Sequence, residues 1–319
     1  MAKPVVVIPG DDPPQCQGSP QLDRLRSLAE VVLYPTRPES SEEKIGRARQ
    51  ADVLINSRNS VKWPADVLEE LPRLKMITVC GIGIDAIDIE AARAQGIIVC
   101  NVPGKTAPIV AEHAFGLMFA VAKRAAYQTA SIRAGDWVRV DSLFLQGKTL
   151  GVVGTGNIGA EMARLGRALG MKVIAWTFHP SVERAAELGV TFLGLEELLR
   201  RSDVVSLHLK LTEQSRHLIG ETELARMKPG AVLINVGRGA LVDEEALAAA
   251  LGSGHLGGAG IDVFQVEPLP PGHPLRACEQ VVLTPHCADM TPEGVELLNE
   301  GVVDNVLAFL QGKPRNVMT

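Results

Sequence analysis

The chain has 319 residues, of which 46% are hydrophobic and 22% are charged, and its formal net charge is −5. A chain longer than the usual size of one hydrophobic core predicts two domains. The balance of 32 basic against 37 acidic residues argues against a general nucleic-acid binder, because such proteins carry a basic surface. Any anionic ligand must therefore be bound by a local cluster of donors.

The apolar stretches are too short or too interrupted for export or membrane insertion. Val5–Ile8 is shorter than the apolar region of a signal peptide, and the stretch 107–122 contains Glu112 and His113. The five cysteines are an odd number without CxxC spacing, which favours reduced thiols. These features predict a cytoplasmic protein without a membrane span.

Short β-branched runs alternate with helix-periodic segments along the chain, a pattern typical of parallel sheets with crossover helices. In the first third of the chain, strands are predicted at 5–8, 31–33, 53–55, 76–79 and 97–99. A long helical segment at 107–133 follows. Further strands are predicted at 150–153, 172–176, 204–207, 232–234, 259–263 and 281–283, and a final helix is predicted at 292–311.

A glycine-rich segment lies between the predicted strand 150–153 and a helix-periodic segment. It reads Gly154-Thr155-Gly156-Asn157-Ile158-Gly159. Gly154 permits a tight turn, Gly156 lets the backbone approach a pyrophosphate, and Gly159 lets the helix pack on the strand. The N-terminus of the helix supplies N–H donors and the positive end of a dipole. Strand, glycines and helix together predict a dinucleotide site, in preference to a simple glycine-rich turn.

The end of the next predicted strand bears on the choice of cofactor. Its sequence, Ala175-Trp176-Thr177-Phe178-His179, lacks the acidic residue that usually binds the adenosine ribose. Without that carboxylate, no negative charge repels a 2′-phosphate. The cations that could bind such a phosphate are His179, Arg184 and Lys210, unless they are ordinary solvated surface charges. NAD is the predicted cofactor, and NADP is left open.

Three later segments each place a reactive side chain shortly after an apolar strand. These side chains are Arg238, Glu267 and His286. Strand ends in an open α/β sheet are where ligands bind. A guanidinium group can bind a carboxylate through two hydrogen bonds, and a carboxylate beside an imidazole can tune it as an acid/base. Each residue alone could be an ordinary surface group, but the three together predict a catalytic site.

The chain resembles the D-isomer-specific 2-hydroxyacid dehydrogenase family, which includes D-3-phosphoglycerate dehydrogenases and hydroxypyruvate and glyoxylate reductases. The resemblance is most specific at 147–159, 228–243 and 262–286. It implies two Rossmann-like α/β domains with doubly wound parallel sheets. A nucleotide-binding domain at 101–287 would be inserted in a discontinuous, flavodoxin-like substrate domain at 1–100 plus 288–319. The resemblance also implies a homodimer.

The resemblance implies a role for each matching residue. Arg238 would bind the substrate carboxylate and polarise the keto oxygen, His286 would be the general acid/base, and Glu267 would orient His286. Asp262 would contact the nicotinamide carboxamide, and His208 would lie on the cofactor side. The implied reaction transfers a hydride between a nicotinamide and C2 of a small D-2-hydroxy acid or 2-keto acid.

One lysine and one histidine receive more specific interpretations. Lys210 replaces the proline that is common in the H-x-P pattern of the family, which suggests contact with an adenosine 2′-phosphate. His113 lies on an apolar helix face and is interpreted as a packed histidine. No group of His, Cys and Asp residues has metal-ligand spacing, so no metal is predicted.

A loop after the predicted strand 76–79 is the expected substrate loop. The glycines of Gly81-Ile82-Gly83 can turn backbone N–H groups toward an anion, and the resemblance implies that they bind the substrate carboxylate. Arg58 corresponds to an arginine that phosphoglycerate dehydrogenases place near the substrate.

The identity of the substrate stays open at this stage. Arg58 could hold a phosphate together with Lys62 or Lys105. However, Val79 and Cys80 occupy positions where phosphoglycerate dehydrogenases often carry another arginine. Hydroxypyruvate, glyoxylate or another short 2-keto acid is therefore an equal expectation.

Two other functions are compatible with the sequence. A transcriptional corepressor branch of the family shares the fold and the three polar residues, so a cofactor-sensing interaction protein is one alternative. The lack of long disordered tails and of a basic patch favours an enzyme. The second alternative is an enzyme that oxidises phosphite or formate.

Overall fold

The computed structural model describes residues 3–319, so Met1 and Ala2 of the predicted first domain lie outside the described residues. The chain forms two compact units. One contains the residues up to Thr106 together with Met290–Thr319, and the other is Ala107–Asp289. The units divide after residue 106 rather than 100, and after residue 289 rather than 287.

The first unit is built on a five-stranded parallel sheet with the strand order β2-β1-β3-β4-β5. This order is typical of flavodoxin-like folds, in which ligands bind at the carboxyl ends of the strands where the order reverses. The strands are β1 (Val5–Ile8), β2 (Glu30–Leu33), β3 (Val53–Asn56), β4 (Met76–Val79) and β5 (Ile98–Cys100).

Helices cover both faces of this sheet, because successive side chains of a strand point to opposite faces. Val6 and Ile8 pack with residues of the first and last helices, whereas Val7 packs into a second core on the other face. The helices of the unit are α1 (Gln21–Arg26), α2 (Ser41–Ala48), α3 (Ala65–Glu69), α4 (Ile89–Ala94) and α12 (Pro292–Leu310).

The second unit contains a seven-stranded parallel sheet with the order β12-β11-β10-β9-β6-β7-β8. This is the doubly wound order of Rossmann folds with one more strand at the β12 edge. The strands are β6 (Thr149–Val153), β7 (Lys172–Trp176), β8 (Thr191–Phe192), β9 (Val204–Leu207), β10 (Val232–Asn235), β11 (Gly258–Ile261) and β12 (Val281–Leu283).

Seven helices accompany this sheet and form two cores, one on each face. They are α5 (Ala107–Ala122), α6 (Ala125–Ala134), α7 (Asn157–Ala168), α8 (Val182–Leu188), α9 (Leu195–Arg201), α10 (Glu221–Arg226) and α11 (Glu244–Gly252). Among the described residues, no helix combines the length and the apolarity needed to cross a membrane.

Most predicted elements are confirmed, with two differences. All eleven predicted strands form with their ends shifted by at most two residues, but the short strand β8 was not predicted. The helix predicted at 107–133 is two helices, because Arg124 adopts a left-handed conformation with φ +52° that interrupts the helix. Such a backbone conformation is uncommon for a residue other than glycine.

Candidate active site

The three reactive side chains predicted from the sequence follow neighbouring strands. Arg238 lies three residues after β10, Glu267 lies six residues after β11, and His286 lies three residues after β12. These strands are adjacent and parallel, so their carboxyl ends meet at one edge of the sheet. The loops after three separate strands thereby contribute to a single site.

The imidazole of His286 and the carboxylate of Glu267 form a direct pair. Nδ1 of His286 lies 2.8 Å from Oε2 of Glu267. A carboxylate only accepts hydrogen bonds, so Nδ1 carries the proton and donates it to Glu267. Nε2 of the neutral ring is then the basic nitrogen. The His286 side chain is half exposed, so a ligand can reach this nitrogen.

The pair shifts the titration of both members. The hydrogen bond with Glu267 raises the pKa of His286, more than burial and the charge of Arg238 lower it. Burial by itself raises the pKa of Glu267, but the hydrogen bond and the charge of His286 outweigh it and lower that pKa overall. Glu267 therefore stays ionised to a lower pH than an isolated carboxyl group, and His286 keeps its proton to a higher pH than an isolated imidazole, as the directions of the two pKa shifts require.

Arg238 owes its position to a tight turn after β10. The Asn235 side-chain amide donates to the backbone carbonyl of Arg238 at 2.9 Å, and Nη1 of Arg238 donates to the carbonyl of Gly237 at 2.8 Å. A Cβ atom at Gly239 would lie 1.9 Å from the carbonyl carbon of Phe264. Only glycine at residue 239 therefore allows the loop after β10 to approach the loop after β11 this closely.

The loop that carries Glu267 is held by its own hydrogen bonds and by a buried glutamate. The backbone N–H of Phe264 donates to Oε1 of Glu267 at 3.0 Å, and the N–H of Gln265 donates to Oε1 of Glu244 at 2.8 Å. Glu244 is almost completely buried, and its other oxygen lies 3.0 Å from Nε2 of His273. Residues 264–273 are thus fixed to the start of α11.

Asp262 lies at the end of β11 beneath the His286 loop and is completely buried. Its Oδ1 accepts hydrogen bonds from the Thr284 hydroxyl at 2.6 Å and from the Cys287 N–H at 3.0 Å, and its Oδ2 accepts from the Ala288 N–H at 3.2 Å. The carboxylate therefore already binds the loop that follows β12. Its contact with a nicotinamide stays a prediction.

The structure brings together three potential metal ligands that are far apart in sequence. Ligand atoms of His113, Asp262 and Cys287 all lie within 4.8 Å of one another. However, the hydrogen bonds to Asp262 already occupy its oxygens, and burial together with the negative charge of Asp262 raises the pKa of the Cys287 thiol. A metal site requires the thiolate and unoccupied carboxylate oxygens. This group is better described as a hydrogen-bonded cluster.

The glycine-rich segment has the geometry that a dinucleotide requires. Gly154 has φ +93°, and a Cβ atom at Gly159 would lie 1.9 Å from the Gly154 carbonyl oxygen. Both positions therefore need glycine. A Cβ atom at Gly156 would contact nothing within 4 Å, so the space in front of the segment is open. Asn157 and Ile158 begin α7, and the N–H groups of the first turn of a helix are suited to bind an anion.

The side chains predicted near the cofactor lie after β7 and β9. Thr177 follows β7 and is half-buried, and the exposed Lys210 lies three residues after β9. Nε2 of His208 lies 2.9 Å from the Ser206 hydroxyl, and burial lowers the pKa of His208 to about 3. His208 is therefore neutral. Within residues 3–319, no hydrogen-bond partner is found for its buried Nδ1.

Arg184 is the cation held directly at the glycine-rich segment. Its Nη2 donates to the backbone carbonyl of Thr155 at 2.8 Å, and its Nη1 lies 2.8 Å from Glu187. The guanidinium group is therefore fixed beside the turn that the cofactor phosphates would approach. Sequence reasoning treated Arg184 as one of three possible cations and could not see this contact.

The glycine loop of the first unit presents fewer N–H groups than predicted. The carbonyls of Gly81, Ile82 and Gly83 accept hydrogen bonds from the Val102 N–H and from the side-chain amides of Asn101 and Asn59. The Gly81 N–H donates to the Val79 carbonyl at 2.9 Å, so it is already used. Among the described residues, no acceptor is found for the N–H groups of Ile82 and Gly83, and these two groups remain for an anion.

Two basic residues of the first unit differ in their surroundings. Arg58 follows β3 in a short 3-10 helix, Ser57–Asn59, and has φ +48°. Asn59 has φ +53° and holds the Gly83 carbonyl, so this strained segment is tied to the glycine loop. Lys105 forms an ion pair with Glu300.

Sequence reasoning missed several residues that position the site. Asn59 and Asn101 hold the glycine loop, and Glu244 holds the Glu267 loop. His113 was interpreted as a packed histidine, but its Nε2 lies 3.1 Å from the Thr284 hydroxyl. The partners are separated by 19 to 171 residues, and no local pattern indicates contacts over such distances.

Comparisons with known proteins show the family to which the chain belongs. The family model described as "D-isomer specific 2-hydroxyacid dehydrogenase, NAD binding domain" matches residues 115–288. A glyoxylate reductase from Aeropyrum pernix is 40% identical over 308 residues, which cover 93% of this chain and 92% of the relative. A glycerate dehydrogenase from Methylorubrum extorquens is 39% identical over 287 residues, which cover 87% and 88% of the two chains.

A solved structure shares the fold over almost the whole chain. It is an acyclic imino acid reductase in complex with NADPH and D-Arg, and it has a TM-score of 0.89 and 28% sequence identity. The match covers 99% of this chain and 100% of the other. The chain therefore belongs to the D-isomer-specific 2-hydroxyacid dehydrogenase family and is a nicotinamide-dependent oxidoreductase.

Proposed function

We propose that this enzyme interconverts a short D-2-hydroxy acid and the corresponding 2-keto acid, with His286 as the acid/base. The observation that carries the proposal is the 2.8 Å contact of His286 Nδ1 with Glu267, at the strand edge that also carries Arg238. An imidazole oriented by a carboxylate is suited to move the C2 hydroxyl proton. A guanidinium group nearby is suited to bind the carboxylate of the acid.

Each residue has one task in this scheme. In the oxidation direction, Nε2 of neutral His286 accepts the hydroxyl proton, and Glu267 stabilises the imidazolium that forms. In the reduction direction, the same nitrogen returns the proton to the keto oxygen. Arg238 binds the substrate carboxylate and polarises the keto oxygen. The raised pKa of His286 reflects the stabilisation of the imidazolium by Glu267.

The residues that would hold the nicotinamide cofactor are those of the glycine-rich segment. The open space at Gly156 and the required glycines at 154 and 159 support pyrophosphate binding at the start of α7, where Asn157 and Ile158 supply N–H donors. When bound, the cofactor supplies or accepts the hydride. Thr177 and His208 are proposed cofactor contacts.

For the adenosine ribose, we propose that NADP is accepted beside NAD and that Arg184 contributes to this. No carboxylate follows β7 at Thr177, and the Arg184 guanidinium is fixed at the Thr155 carbonyl. Lys210 is the predicted alternative. We expect Arg184→Ala to lower the ratio of NADPH to NADH efficiency (kcat/KM) by about tenfold. An unchanged ratio in Arg184→Ala and a lowered ratio in Lys210→Ala would assign this role to Lys210.

For the substrate, we propose a short, unphosphorylated acid such as glyoxylate or hydroxypyruvate. The names of the two relatives, glyoxylate reductase and glycerate dehydrogenase, support this class. In the first unit, the N–H groups of Ile82 and Gly83 are proposed anion donors. Arg58, which follows the neighbouring strand β3, is also a proposed substrate contact. The ion pair of Lys105 with Glu300 removes one candidate phosphate ligand.

The proposed function is tested by following NAD(P)H absorbance with purified protein and a panel of 2-keto acids. The panel contains glyoxylate, hydroxypyruvate, pyruvate and 3-phosphohydroxypyruvate, each with NADH and with NADPH. We expect turnover with at least one short keto acid. Turnover of formate or phosphite alone, or cofactor binding without any turnover, would overturn the proposal in favour of one of the two alternative functions.

We further propose that the enzyme is a cytoplasmic homodimer. Ile132, Trp137 and Phe144, which lie on or shortly after α6, are large apolar side chains that are more than half exposed, and a second copy of the chain would cover them. All five cysteines are free, which suits a reducing compartment. Light scattering of the purified protein would give the oligomeric state, and cell fractionation would give the location.

A further inference from the structure

A row of three polar side chains lies behind the His286 loop in the second unit. His113 comes from α5, Thr284 follows β12, and Asp262 follows β11. His113 Nε2 lies 3.1 Å from the Thr284 hydroxyl oxygen and 3.4 Å from Oδ1 of Asp262. The Thr284 hydroxyl in turn lies 2.6 Å from Oδ1 of Asp262. A helix side chain is thus linked to the strand edge that carries the acid/base.

The chemistry of the three groups fixes the direction of the hydrogen bonds. The Asp262 carboxylate accepts only, so the Thr284 hydroxyl donates its proton to Oδ1. The Thr284 oxygen is then left as an acceptor, and His113 must donate to it from a protonated Nε2. Each donor in the row points toward Asp262. The row therefore concentrates hydrogen-bond donors on one buried carboxylate.

The same carboxylate holds the backbone on which His286 is mounted. The N–H of His286 donates to the Asp262 backbone carbonyl at 2.8 Å, and the N–H groups of Cys287 and Ala288 donate to the Asp262 side chain. His286 itself has φ +52°, a left-handed conformation that is uncommon among residues other than glycine. Three consecutive N–H groups bound to one residue can maintain that conformation.

We propose that His113 and Thr284 are positioning residues, which act through Asp262 to hold the His286 loop in its left-handed conformation. This inference rests on the proposed role of His286 as the acid/base. It assigns His113 and Thr284 no contact with substrate or cofactor. Their function is to keep the Asp262 oxygens aimed at the N–H groups of Cys287 and Ala288, so that Nε2 of His286 stays where the reaction needs it.

The test compares a variant that removes the hydroxyl with one that keeps it. Thr284→Val has nearly the same shape as threonine but cannot donate to Asp262, whereas Thr284→Ser can. We expect Thr284→Val to lower kcat about tenfold, because a displacement of the loop by less than about 1 Å should cost less than the loss of about 10²-fold expected for about 1 Å. We expect Thr284→Ser to restore kcat to within about threefold of wild type. The dissociation constant for the cofactor should be unchanged in both variants.

The second measurement is amide hydrogen exchange in the cofactor-free protein. The N–H groups of Cys287 and Ala288 should exchange about tenfold faster in Thr284→Val than in wild type or Thr284→Ser. This readout does not depend on any substrate. If wild type turns over no keto acid, the proposed function fails, but the exchange rates still decide whether the row holds the loop.

A parallel pair of variants at His113 covers the case in which Thr284→Val does not fold. His113→Leu removes the donor, and His113→Gln keeps an N–H group at a similar distance from the backbone. We expect His113→Leu to lower kcat and speed amide exchange as Thr284→Val does, and His113→Gln to restore both as Thr284→Ser does. The matched controls are Thr222→Val, at an exposed position of α10, and His255→Leu, whose Nε2 lies 3.1 Å from the Leu224 carbonyl oxygen.

Two results would overturn the proposal. The first is that Thr284→Val and His113→Leu both fold and keep the wild-type kcat and the wild-type exchange rates of the Cys287 and Ala288 N–H groups. The other is an equal loss in Thr284→Ser and Thr284→Val, since the methyl group rather than the hydroxyl would then be responsible.

Discussion

Both sheets carry a buried aspartate just after a strand, and each of these residues collects hydrogen bonds from a loop. Asp11, after β1, accepts from the N–H groups of Gln15, Cys16 and Gln17 and from the Ser57 hydroxyl. Asp262, after β11, accepts from Thr284, Cys287 and Ala288. Both side chains are completely excluded from solvent. The same anchoring arrangement therefore occurs in each unit.

The difference lies in what the anchored segments carry. Ser57 precedes Arg58, a proposed binding residue. The loop held by Asp262 carries His286, whose imidazole pairs with Glu267. A buried aspartate therefore sets the position of a loop in both units, and in the second unit that loop also presents the His286–Glu267 pair. We therefore expect changes in the second unit to affect kcat and changes in the first to affect KM.

The largest effect is expected from removal of the acid/base. His286→Ala should lower kcat by about 10³-fold, because general acid–base catalysis contributes about 10²- to 10⁴-fold. Cofactor affinity, measured by fluorescence titration, should stay within about twofold of wild type. Full activity in this variant would remove the basis for assigning chemistry to the second unit.

Glu267→Gln tests whether catalysis in the second unit needs the His286–Glu267 pair or the imidazole alone. We expect kcat to fall on the order of 10²-fold. Glu267 raises the pKa of His286, so its loss should lower that pKa. Oxidation requires neutral imidazole, so the acidic limb of its pH–rate profile should move to lower pH. Reduction requires imidazolium, and its activity should be lost at a lower pH than in wild type. A pH–rate profile unchanged in both directions would contradict the pairing.

Replacing each anchoring aspartate with asparagine compares the two units directly. Asp262→Asn puts an NH₂ group against backbone donors and should lower kcat about tenfold with little change in KM. Asp11→Asn should raise KM for the keto acid about fivefold and leave kcat within about twofold. Each change should lower the free energy of unfolding by about 1–3 kcal/mol, measured by urea titration. The reverse assignment of kcat and KM would break the comparison.

The difference in stability between wild type and Asp262→Asn should depend on pH. Burial raises the pKa of Asp262, but its hydrogen bonds outweigh burial and bring the pKa below its ordinary value. The stabilisation is therefore complete above the pKa of unfolded aspartate and is lost as the pH falls through the lower, folded value. The stability difference between wild type and Asp262→Asn should accordingly shrink below about pH 4.

The smallest effect is expected at Lys105. Because its ammonium group is paired with Glu300, Lys105→Ala should change kcat/KM for any active keto acid by less than about twofold. A large loss confined to a phosphorylated keto acid would show instead that the first unit binds a phosphate through this lysine.

The sequence allowed prediction of the strands, the glycine-rich segment and the three reactive residues, because each depends on a local pattern. Apolar runs marked every strand except β8, which has only two residues. The break at Arg124 has no glycine or proline to indicate it. Proline and glycine are the usual local signals for such a break.

Contacts between distant segments could not be predicted. His113 and Thr284 are separated by 171 residues, and Lys105 and Glu300 by 195. Asp262 illustrates the same limit, because its position at a strand end was evident but its bonds to Cys287 and Ala288 were not. Gly81 was expected to bind an anion, yet its N–H group is used by Val79. These features depend on which strands become neighbours.

The absence of a side chain at residue 239 has a consequence for protein engineering. Any Cβ atom there would overlap the backbone at Phe264, so the spacing of the Arg238 and Glu267 loops is encoded by a residue with no functional group. A transplant of Arg238, Glu267 and His286 into another parallel sheet would fail without this glycine. In a library of active-site variants, residue 239 should therefore be kept constant while its reactive neighbours are randomised.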